Sequence, residues 1–145
     1  MSQWGTGAFE NDSARDWFYR VEEAVEPGDV IASALDDALG EADDLELDPA
    51  CAAIAAAELS AACAGVPADD LPDQIRRWVG EHPHEPHTAE TEQAVEAVER
   101  VRAESELREL WDKELGPDNA WLGTIDDLIA RLGRCGTDGP AALRP

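Results

Sequence analysis

Glu58 stands in the middle of the most apolar run of the chain, Ala50 to Ala64, and its setting demands a chemical explanation. A carboxylate in a helix made mostly of alanine must be paired, hydrogen-bonded or protonated if it is buried. As a structural anchor it would accept hydrogen bonds from the Trp4 indole, from backbone amides of the glycine-rich N-terminal segment, or from Arg76 or Arg77. As an acid/base it would need a concave pocket and a pKa raised above the unperturbed value of about 4.3. The anchor is the reading that the residues favour.

A second constellation lies at the N-terminus, where Gly5-Thr6-Gly7 runs into a helix start at Asn11-Asp12. Backbone amides of such a loop can approach an anion at a helix N-terminus. The segment lacks the lysine of a phosphate-binding loop and follows no strand, and Glu10 and Asp12 repel phosphate. The plainer role of these glycines is to let Trp4 and Phe9 fold back onto the helices. Trp4, Gly5, Gly7, Asn11, Asp12 and Asp16, together with Glu58, form the candidate binding set. Its oxygen atoms suit a cation, but their order matches no calcium loop, and capping accounts for Asn11 or Asp12. His82, His84 and His87 are the only histidines, and three imidazoles suit zinc or nickel. Two prolines stiffen that run and no cysteine assists, so a solvated connector is the expectation. No metal, cofactor or catalytic residue is assigned.

Cys51, Cys63 and Cys135 are an odd set. The first two fall on one expected helix, beyond the roughly 4.4–6.8 Å Cα separation of a disulfide. Reduced thiols in a reducing compartment follow. The N-terminal segment carries Glu10 and Asp12 and no apolar run, unlike a signal peptide. Ala50 to Ala64 is shorter than the roughly 20 residues that span a bilayer, and it contains Glu58. A cytoplasmic protein is expected.

Charge narrows the partners. The 145 residues hold 33 acidic against 11 basic side chains, a formal net charge of -22. Nucleic-acid backbones and anionic membranes repel such a body, since their binding depends on Lys and Arg neutralising phosphate. Solubility, docking to a basic partner and mimicry of nucleic acid remain, and self-repulsion that keeps the chain soluble is the commonest of these.

The elements that must position these residues are helical throughout. Ala14, Trp17, Phe18, Val21 and Val25 form one stripe, with Pro27-Gly28 as its stop. Val30, Ile31, Ala34, Leu35 and Ala38 form the next, ending at Gly40. Asp48-Pro49 reads as a cap followed by proline at the first helical position, opening an alanine-rich helix that Gly65 stops. Leu71, Ile75, Trp78 and Val79 mark a short helix to Gly80; Ala94, Val95, Val98 and Val101 mark a fifth from Thr88. The pattern then shifts face to Leu107, Leu110, Trp111 and Leu115, which predicts a break at Glu104-Ser105. Trp121, Ile125, Leu128, Ile129 and Leu132 form the last stripe, with Gly133 as its stop. The expectation is an all-α domain over 1–133, six to seven short helices around a central alanine-rich one, and a flexible tail over 134–145.

Trp4-Gly-Thr-Gly-Ala-Phe-Glu-Asn-Asp12, continuing through Ala14, Asp16 and Trp17, resembles the opening signature of the domain-of-unknown-function family numbered 4259. Similar stretches follow: the alanine-rich helix with Glu58, Leu71-Pro72 leading to Trp78 and His82-Pro83, and Ser105-Glu-Leu-Arg-Glu-Leu-Trp111. The likeness covers about residues 1–132. It implies a small, mostly bacterial protein and no defined activity. Three readings follow. The first is a non-catalytic acidic domain that binds a protein, specifically a basic one, with an immunity-type antitoxin as its particular form. The second is a small enzyme or ligand-binding protein using the N-terminal segment and Glu58. The third, nucleic-acid mimicry, requires acidic side chains in ordered rows.

Overall fold

The computed structural model describes residues 7–40, 45–69, 71–82, 88–116 and 119–142. Among these the chain forms seven helices and no strand: α1 (Asp12–Glu23), α2 (Pro27–Gly40), α3 (Leu47–Cys63), α4 (Asp73–Glu81), α5 (Thr88–Ala103), α6 (Glu106–Leu115) and α7 (Ala120–Ala142). None of the described helices is long and apolar enough to cross a membrane.

Local chemistry sets most of the boundaries. Asn11 is extended and its side chain accepts the Ala14 N–H at 2.8 Å, so α1 starts with an orphan donor satisfied. Ala14, Trp17, Phe18 and Val21 are buried as their spacing predicts. Val25 is not: the helix ends at Glu23, Ala24 turns extended, and Val25 is left exposed. Pro27-Gly28 opens α2 instead of closing α1. Proline fits there because the first helical residue has no N–H partner to lose.

The start of α3 differs from the local signal in a similar way. The helix begins at Leu47 rather than after Asp48, and Glu46 at its cap makes no side-chain bond. A distant partner takes up the orphan donor: the Glu106 carboxylate accepts the Leu47 N–H at 2.9 Å, and the Glu106 N–H donates to Leu45 O at 2.8 Å. At its other end α3 closes with Gly65 at φ 94°. The Val66 N–H reaches Ala61 O at 2.9 Å and the Gly65 N–H reaches Ala62 O at 3.0 Å, the paired bonds of a Schellman stop.

The predicted break between α5 and α6 falls at Ser105. Its hydroxyl donates to Val101 O at 2.7 Å and accepts the Arg108 N–H at 3.0 Å, so one residue closes one helix and caps the next. Gly116 then ends α6 at φ 92°, and Leu115, expected in the core, is exposed at the helix end. Asn119 accepts the Leu122 N–H at 3.1 Å at the start of α7. The stop expected at Gly133 is passed, and the α7 backbone continues to Ala142.

Packing is organised by α3. Every residue from Ala50 to Ala62 is buried, and the helix packs against each of the other six. Alanine makes this possible, because short side chains let neighbours approach on all sides. Helix α7 lies against both α5 and α3.

Candidate functional site

The carboxylate of Glu58 is 2% exposed, and its partner is Arg131 of α7. The guanidinium donates from Nη1 to Oε2 at 2.5 Å and from Nη2 to Oε1 at 3.1 Å, a bidentate clasp. Arg131 also donates from Nη1 to Val66 O at 3.1 Å and from Nε to Asp127 Oδ2 at 2.7 Å. Burial pulls this guanidinium down, but the hydrogen bonds and charges of Glu58 and then Asp127 more than offset it, so its pKa rises. The anchoring role expected of Glu58 is met by a residue 73 positions away. Arg76 instead donates to the carbonyls of Leu71, Ala68 and Asp69.

This ion pair forms part of the lining of a cleft of about 440 Å³. One wall is the N-terminal loop from Gly7 to Glu10, held closed by the Gly7 N–H donating to Glu10 Oε1 at 2.9 Å. A second is the connector between α3 and α4, with Ala68, Asp69, Leu71 and Pro72. The third is a single face of α7, Ala120, Gly123, Thr124, Asp127 and Arg131, whose 3–4 spacing puts them in one row. Small residues at 120 and 123 keep this wall low. A Cβ added at Gly123 would meet no atom within 4 Å.

The lining is electrostatically lopsided. Among the described residues Glu10, Glu58, Asp69 and Asp127 line the cleft with one guanidinium, that of Arg131, a formal charge of -3. Asp127 is held by Arg131 yet 64% exposed, so it presents negative charge to the solvent-filled space.

The candidate binding set is therefore divided. Gly7 and Glu58 line the cleft together. Asn11 is buried as the α1 cap, and Asp12 and Asp16 are exposed on α1 and do not line the cleft. Trp4 and Gly5 lie outside the described residues, as do His84 and His87. His82 stacks on Trp78 at 4.8 Å, with its Nδ1 3.0 Å from Trp78 O. No group of three or more His, Cys, Asp or Glu side chains is placed to hold a metal among the described residues. Cys51 and Cys63 are free thiols. Burial and then the nearby Asp48 push the Cys51 thiol up to about 12. Burial and then Glu90 push the Cys63 thiol up to about 11.

Arg131, Asp127 and Asp69 are among the site residues that sequence patterning passes over. A signal was present in Leu128-Ile-Ala-Arg-Leu132, where an arginine interrupts an apolar stripe much as Glu58 interrupts the alanine helix. Two opposite charges on two buried faces are mutually explanatory.

Fold and cleft define an acidic all-α domain in which a buried ion pair, Glu58 with Arg131, connects the central helix to a surface hollow. The family described as Domain of unknown function (DUF4259) matches residues 2–124, and the chain belongs to that family. No curated protein and no solved structure matches the chain. The match takes in the N-terminal loop, α3 and the first turn of α7, and it ends before Asp127 and Arg131.

Proposed function

We propose that this chain is a non-catalytic interaction domain that receives a cationic segment of a basic protein in the cleft between the N-terminal loop and α7. The carrying observation is the cleft itself, where the described residues set four carboxylates against one guanidinium in about 440 Å³. Such a volume lies in the range of ligand sites, on the order of 300–1,000 Å³. The chain's formal charge of -22 supports the same reading at long range, because opposite charge accelerates and orients docking. Neutralising a basic toxin in the manner of an immunity protein is the particular task that this charge and size suit. The free thiols Cys51 and Cys63 support a reducing, cytoplasmic setting for it.

Carboxylate catalysis would use the same cleft, but the geometry favours binding. Both oxygens of Glu58 are engaged by Arg131, and Asp12 and Asp16 stand elsewhere. The test is affinity capture from host lysate at low and moderate salt, with Gly123→Trp as a cleft-filling variant and its melting temperature checked against the parent. The expected result is a basic protein held by the parent, released as salt rises, and not held by the folded variant. Equal capture by parent and variant, or capture indifferent to salt, overturns the proposal.

A further inference from the structure

A second, smaller hollow of about 50 Å³ adjoins the cleft, and both are lined by Phe9 and Pro72, which form the wall between them. Its other walls include Phe18, Tyr19 and Ile75. Two polar side chains stand at its edge: Arg15, whose Nε donates to Phe9 O at 3.0 Å, and Gln74, whose Nε2 donates to Glu22 at 3.1 Å. Beside that polar edge the other described lining residues, Phe9, Phe18, Tyr19, Pro72 and Ile75, offer aromatic and aliphatic surface. Phe9 and Phe18 meet edge to face at 6.1 Å, and Phe18 meets Trp78 in the same way at 5.9 Å, so the floor is fixed by packing. Tyr19 also lines it and is 55% exposed. An exposed tyrosine with few rotatable bonds, beside a preformed hollow, is the composition of an interface anchor.

We infer that the recognised segment of the partner carries an apolar side chain a few residues from its cation, with the cation in the acidic cleft and the apolar group across the Phe9–Pro72 wall beside Tyr19. This rests on the cleft reading above and extends it to a two-point footprint. The smaller hollow has room for roughly three or four water-sized groups, which fits the branched end of valine or leucine. Charge complementarity sets the first point, since a net charge of -3 demands a positive group. The aromatic and aliphatic residues of the second hollow set the other, because burying an apolar side chain against them removes apolar surface from water on both sides.

The test uses random heptapeptides displayed on phage and selected against the full chain, against Asp69→Asn/Asp127→Asn and against Tyr19→Ala, each confirmed folded by circular dichroism. The parent is expected to select Arg or Lys within about three residues of Val, Leu or Ile. The carboxamide variant loses the basic preference, whereas Tyr19→Ala keeps it and loses the apolar one. A labelled winning peptide should bind Tyr19→Ala about tenfold more weakly, the size of a modest anchor contact. Replacing the peptide's apolar residue with serine should cause a similar loss that does not add to it. Basic peptides without an apolar companion, or unchanged affinity for Tyr19→Ala, would overturn the two-point footprint while leaving the cleft reading intact. Selection with no basic enrichment would overturn both.

Discussion

Helix α3 meets its neighbours in two different ways. Along most of its length it presents methyl groups, and every residue from Ala50 to Ala62 is enclosed. At Glu58 it presents a carboxylate to the guanidinium of Arg131, at the edge of a cleft. The alanine surfaces are specified by volume, since a methyl group has no directional preference and nothing to leave unsatisfied. The Glu58 corner is specified by chemistry, since either charge alone is intolerable where it lies. A buried ion pair is seldom the most stable way to fill such a space. The pair lines a hollow, whereas the alanines fill space between helices.

Substitutions separate the two regimes. Removing one charge is expected to have the largest effect: Glu58→Ala or Arg131→Ala should lower unfolding free energy by about 3–5 kcal/mol, read by urea denaturation. A loss below about 1 kcal/mol would show that water reaches the remaining charge. Overfilling the methyl-lined region comes next, and Ala56→Leu should cost about 1–3 kcal/mol through displaced neighbours. Replacing both charges together, Glu58→Met with Arg131→Met, should leave stability within about 1 kcal/mol of the parent, and capture of the basic partner should persist because Glu10, Asp69 and Asp127 keep the cleft's formal charge at -3. Equal losses in the single and double variants would mean that the pair is simply part of the scaffold.

The smallest effect near neutrality belongs to the thiols of α3. Burial raises Cys51 from its ordinary 9.0 to about 12, so the folded state keeps a proton that the unfolded chain releases. The stability this contributes is complete below about pH 9 and is lost as pH rises toward about 12. Denaturation midpoints should therefore hold steady up to about pH 8.5 and decline above it, and Cys51→Ala should flatten that decline.

How far this arrangement can be read from the sequence depends on the range of each interaction. The Asn11 cap, the glycine stop at Gly65 and the break at Ser105 are contacts within a few residues, and local spacing exposes them. The face change from Val101 to Leu107 announces the break because a straight helix cannot bury both stripes against one neighbour. The true start of α3 is hidden, because its first amide is satisfied by Glu106, 59 residues on. Pro27 misleads for a related reason: proline is compatible with a helix start as well as a stop, and only the neighbouring chain decides. Glu58 declares that it needs a partner but not which of the basic residues supplies it. Asp69 and Asp127 enter the site only once the α3–α4 connector and α7 are folded beside each other.

That α3 touches all six other helices has a consequence for how the molecule opens. No helix pair can detach together with α3 and leave an intact remainder, because every remaining helix would lose its central neighbour. Amide protons of α3 should therefore exchange with solvent only when the whole domain unfolds, whereas those of α4 and α6 can exchange through partial openings at the periphery. The cleft combines both kinds of structure, since Glu58 lies on α3 whereas the N-terminal loop and the α3–α4 connector lie outside the helices. The slowest-exchanging part of the molecule would thus hold the floor of the site, and the faster part its walls.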